Sequence, residues 1–88
     1  MMEVKNIIQT CGACPSQWEG KLVDGRMFYA RYRHGSLAIE LSKDITDDVY
    51  DAIGGELIYH ETLGDPYDGV LDQSELIDKM EESGFIFR

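Results

Sequence analysis

The chain has 88 residues, 17 acidic side chains and 8 basic ones, for a net charge of −9. A chain this short builds one core, so a single domain over residues 1–88 is expected, without a deep enzyme cleft or room for a large cofactor. The charge excludes non-specific binding to DNA or to anionic membranes, both of which need positive charge. With 43% hydrophobic and 28% charged residues, the composition is that of an ordinary folded domain.

The first residues, Met1-Met2-Glu3-Val4-Lys5, show no basic segment followed by a long apolar run, and no apolar stretch approaches the roughly 18 residues of a membrane span. The expectation is a cytosolic protein. Val4–Gln9 reads as a short first strand and residues 10–16 as a loop carrying Cys11 and Cys14. Gln17–Val23, Arg26–Arg33 and Ser36–Ser42 read as three strands, divided by Asp24-Gly25 and His34-Gly35, dipeptides suited to hairpin turns. A two-residue turn at His34-Gly35 sets Tyr32 opposite Leu37, Ala30 opposite Ile39 and Phe28 opposite Leu41. All of these pairs are apolar and lie on one face. A longer, bulged turn at Val23-Asp24-Gly25 puts Trp18 opposite Ala30 and brings Leu22 to the same face.

The period then changes. Thr46 is a candidate cap for a helix of about two turns that carries Val49, Tyr50, Ala52 and Ile53 and stops at Gly54. Glu56–Leu63 reads as a strand and residues 64–69 as a loop. Asp72 with Glu75 forms the pattern of a capping box before a second helix with the stripe Leu76, Ile77 and Met80, ended by Gly84. Phe85–Phe87 reads as a terminal strand. The expected fold is α+β: an antiparallel sheet of four or five strands with one long and one short helix packed on one face. Its core is expected to hold Trp18, Leu22, Phe28, Ala30, Tyr32, Leu37, Ile39, Leu41, Ile53, Leu76, Ile77, Met80 and Phe85.

Few residues offer chemistry. Cys11 and Cys14 have the spacing of a redox pair, but hairpin signals follow them where such a pair needs a helix. With His34 and His60 they number four possible zinc ligands, at a spacing that fits no known finger or ribbon. Residues 64–75 match only the later positions of a calcium loop. No nucleophile–base set and no phosphate loop is visible. Neither catalysis nor a metal nor a cofactor is therefore expected.

Two surface features remain. Residues 1–43 carry six basic and four acidic groups, a net of +2, whereas residues 44–88 carry two basic and thirteen acidic groups, a net of −11. Carboxylates so concentrated suit docking on a basic protein surface, and Asp44, Asp47, Asp48, Asp51, Asp65 and Asp68 are the candidate contacts. The alternative is a small anionic ligand, nucleotide-like, held on the open sheet face by Tyr29, Arg31 and Arg33. Against that alternative, Glu19 and Glu40 are expected to pair with Arg31. Uncovered sheet edges also allow a homo-oligomer.

The segments Cys14-Pro15-Ser16-Gln17-Trp18-Glu19-Gly20, Asp24-Gly25-Arg26 and Tyr29-Ala30-Arg31-Tyr32-Arg33-His34-Gly35 resemble short open reading frames of bacteriophages and bacterial prophages. The resemblance covers residues 14–41. That family has no assigned activity, so no residue roles carry over. The resemblance implies a small phage or bacterial accessory protein, which would act by inhibiting a host or defence protein through binding.

Overall fold

A computed structural model describes residues 2–13 and 15–88. Six strands form one curled sheet, a half-barrel: β1 (Met2–Gly12), β2 (Ser16–Leu22), β3 (Met27–Arg33), β4 (Ser36–Leu41), β5 (Glu56–Thr62) and β6 (Phe85–Ile86). Among the described residues one α-helix, α1 (Gln73–Glu82), is formed, and it precedes β6. The spatial order is β5-β4-β3-β2-β1-β6. The first five strands are antiparallel neighbours, and β6 pairs parallel to the start of β1, Met2 with Phe85 and Glu3 with Ile86.

Strict alternation dictates the central register. In β2, Ser16, Trp18, Gly20 and Leu22 are buried and the residues between them half-exposed, as period-two geometry requires. Trp18 pairs with Ala30, and Ala30 with Ile39; Phe28 pairs with Leu41 and Tyr32 with Leu37. Both hairpin registers are the ones read from the sequence. In the second turn His34 (φ 54°) and Gly35 (φ 74°) both have positive φ, the signature of a type I′ turn, and a Cβ at Gly35 would strike the Gly64 backbone.

The helix lies on the concave face. Leu76 and Met80 are fully buried among Trp18, Leu22, Phe28, Ile39 and Phe85. The indole Nε1 of Trp18 donates to Gln73 Oε1 at 3.2 Å, and the Phe28 and Phe85 rings meet edge to face, centroids 5.9 Å apart. On the far side Lys79 pairs with Glu61 of β5 at 3.2 Å, and Tyr59 donates its hydroxyl to the same carboxylate.

The expected α+β arrangement is overturned in three respects. The sheet has six strands and is mixed, because β6 runs parallel to β1. The expected short helix is one 3-10 turn, Val49–Asp51, capped by Asp48, whose side chain accepts from the Tyr50 amide. Thr46 is not the cap: its hydroxyl accepts from the Asp48 amide and donates to Asp51 at 2.6 Å. Finally, this turn does not share a face with α1. Lys21 and Glu40 point to the convex side by their register, and they hold Asp47 and the Gly54 amide (2.7 Å) respectively. The segment therefore folds over the outside of the sheet.

The burial list changes accordingly. Ile53 is 41% exposed and Ile77 only half-buried, while Ala52 and Leu71 are buried instead. Asp72 occupies the N-cap position of α1 but makes no side-chain capping bond, so the expected capping box is not formed. The first strand is longer than expected, which places Cys11 within β1 rather than in a loop. Cys14 lies outside the described residues.

One close approach holds the two halves of the inner sheet together. A Cβ at Gly20 would overlap the Asn6 carbonyl and stand 2.6 Å from the Phe28 ring. Gly20→Ala is expected to destabilise the fold by about 1–3 kcal/mol, the usual cost of overpacking. A lower urea midpoint at unchanged m-value checks this.

Candidate functional site

The six candidate aspartates do not form one surface. Asp44, Asp47, Asp48 and Asp51 lie in the β4–β5 connection, beyond the last residue of β4, Leu41. Asp65 and Asp68 pack at the other end, where Gly35 donates its amide to the Asp68 carbonyl at 2.7 Å. β4 spans six residues, so about 20 Å separates the two groups.

At the first end large apolar side chains stand exposed on the acidic segment: Ile45 is 75% and Tyr50 76% exposed. Lys43, Asp44 and Ile45 line two adjoining depressions. One, of about 480 Å³, also takes in Thr46, Asp51 and Gly54; the other, about 500 Å³, includes Asp24 and Arg26. Lys21 beside Asp47 holds that carboxyl below its usual range through their hydrogen-bonded ion pair. Asp48 and Asp51 are engaged within the loop, and the Asp44 side chain makes no hydrogen bond among the described residues.

At the second end the carboxylates are structural. Tyr32 donates its hydroxyl to Asp68 Oδ2 at 2.7 Å, and Asp68 Oδ1 receives the Val70 amide at 3.3 Å. Asp65 closes a turn by accepting from the Tyr67 amide at 2.9 Å. Nearby, the buried Ser16 hydroxyl donates to the carbonyls of Gly12 and Gly69 and accepts from the Leu71 amide.

Tyr29, Arg31 and Arg33 share the convex face of β3. Tyr29 is only 8% exposed, and burial, opposed by Arg31, raises its pKa. Arg31 is half-buried between Gln17 and Ala38, and Arg33 is exposed beside Ser36. The expected pairing of Arg31 with Glu19 or Glu40 is not made, because the Glu40 carboxylate is turned to Gly54. Among the described residues no ion pair or side-chain hydrogen bond involves Arg31 or Arg33.

Cys11 on β1 and His60 on β5 stand in the same row of the convex face with three strands between them, about 19 Å apart. His34 sits in the β3–β4 turn. No group of three His, Cys, Asp or Glu residues placed to hold a metal occurs among the described residues. No described helix is long and apolar enough to cross a membrane.

The exposed side chains of Ile45 and Tyr50 were hidden in the sequence by the helical spacing around them. The signal that could have revealed them is Gly54-Gly55, which leaves too few residues for a helix able to bury a stripe. No family model matches the chain, nor does any curated protein or solved structure.

The Tyr32–Asp68 contact gives a pH test. Burial first, and then the hydrogen bond to the Asp68 carboxylate, pushes the Tyr32 phenol up to about 12 from 10.0. Below pH 10 folded and unfolded chains both hold this proton. Between 10 and about 12 the unfolded chain releases it first, so stability falls as pH rises through that window. Tyr32→Phe is expected to flatten this alkaline slope and to cost about 1 kcal/mol at neutral pH. Thermal unfolding of both proteins from pH 7 to 12 measures it.

Proposed function

We propose that this protein is a non-enzymatic binding protein that docks on a basic surface of another protein through the segment 44–53. The observation that supports the reading is the exposure of Ile45 and Tyr50 on a segment that also carries Asp44, Asp47, Asp48 and Asp51. Large exposed apolar side chains with charged neighbours are the makings of an interface anchor. Carboxylates speed encounter with a basic partner, while the apolar side chains hold it. Asp65 and Asp68 stand outside this site, at the far end of β4. In the phage or bacterial setting that the sequence resemblance implies, the partner is a host or defence protein and the effect is inhibition.

The cleanest variants spare the loop's own bonds. Asp44 uses only its backbone carbonyl, towards Ser42, and Tyr50 is held by its amide rather than its ring. Tyr50→Ala is expected to weaken a captured partner about 30-fold, the scale of an interface anchor. Asp44→Lys is expected to slow association and to lessen its salt dependence. Affinity capture from bacterial lysate, followed by binding kinetics on the recovered partner, tests both. A partner bound equally well by wild type and both variants rules the reading out.

A further inference from the structure

Among the described residues four basic side chains are spent on ion pairs: Lys21 with Asp47, Arg26 with Asp24, Lys79 with Glu61 and Arg88 with Glu3. Arg31 and Arg33, like Lys5 and Lys43, make none there, although the chain carries 17 carboxylates. The two arginines stand two residues apart on one face of β3, about 7 Å between Cα atoms, so one anion can reach both guanidinium groups. Their cross-strand neighbours Gln17, Ala38 and Ser36 are uncharged. Two carboxylates lie one row away, Glu19 and Glu40; Glu40 accepts from the Gly54 amide through Oε2, and neither pairs with Arg31. The acidic segment 44–51 reaches β3 through its 3-10 turn, but Asp47 there is paired with Lys21 and Asp48 and Asp51 are bonded within the segment.

A shallow depression of about 260 Å³ adjoins Arg33 and is lined also by His34, Pro66, Tyr67, Asp68 and Gly69. Tyr67 is 95% exposed and offers an unoccupied ring. Asp68 brings a carboxylate that repels an anion at this end but can accept from a ligand hydroxyl or amine. We infer that Arg31 and Arg33 form an oxyanion site for the phosphate group of a small phosphorylated compound, with the ligand's ring stacked on Tyr67.

The shared chemistry is the phosphate, and two probes separate its sources: inorganic phosphate and adenosine monophosphate. Both are titrated into the labelled full chain by NMR, reading the Nε–Hε signals of Arg31 and Arg33 and the ring signals of Tyr67. Both probes are expected to shift the arginine signals saturably in the low-millimolar range, and only the nucleotide should move Tyr67. Tyr67→Ala is expected to weaken the nucleotide about five-fold or more and leave inorganic phosphate unchanged. The double variant Arg31→Gln, Arg33→Gln should lose both responses, with its dispersed amide spectrum showing that the sheet is intact. Equal affinities with Tyr67 unmoved would support the oxyanion site with phosphate itself as the ligand. Absence of a saturable arginine shift, or shifts that survive in the double variant, would overturn the inference.

Discussion

After β5 the chain must cross from one edge of the half-barrel to the other before α1 and β6 can form. The strands it passes hold that crossing. Gly35 bonds the backbone of Leu63, Gly64 and Asp68; Tyr32 grips the Asp68 carboxylate; Ser16 bonds Gly69 and Leu71. Each bond uses a polar group buried or half-buried at the end of an inner strand, so leaving one unmade would cost more than its formation adds. The crossing sets where α1 begins, and α1 sets the depth at which Leu76 and Met80 meet Trp18. The concave core thus depends on a loop that contributes only Leu71 and part of Leu63 to it.

The same arrangement sorts the charges. In the crossing, Asp65 and Asp68 accept hydrogen bonds from neighbouring donors and serve the fold. Those in the 44–51 segment lie outside the sheet, tied to it chiefly at Lys21 and Glu40. Glu40 serves that tether through its Oε2, which accepts from the Gly54 amide, and makes no ion pair with Arg31.

Much of the inner sheet was legible in the sequence. Dipeptides ending in Gly25 and Gly35 mark the turns, and alternation around Trp18, Phe28 and Tyr32 leaves one register that buries these three rings together. The edges were not legible. Nothing local says that Phe85 should lie parallel to Met2, because that pairing joins the two ends of the chain and depends on the crossing. The 49–53 segment has helical spacing, yet its surroundings bury only Ala52, and one buried methyl group cannot sustain two helical turns. The acidic excess was visible as a count, but its division between two ends of β4 follows from strand pairing alone. The unpaired state of Arg31 was likewise invisible, since it turns on where the Glu40 carboxylate goes.

β6 covers only Met2 and Glu3, and β1 runs on to Gly12. From Asn6 to Gly12 this strand carries no charged side chain, and Ile8 is 61% exposed. Such a rim invites uncontrolled stacking of molecules at high concentration. The irregular pairings between Val4 and Asn6 and between Gln9 and Cys11 interrupt it, leaving Asn6–Gln9 as the longest regular run. Four residues make a poor template for another strand. The two kinks in β1 thus act on crowding: they cut the bare rim to a run that offers little to a strand from a neighbouring molecule.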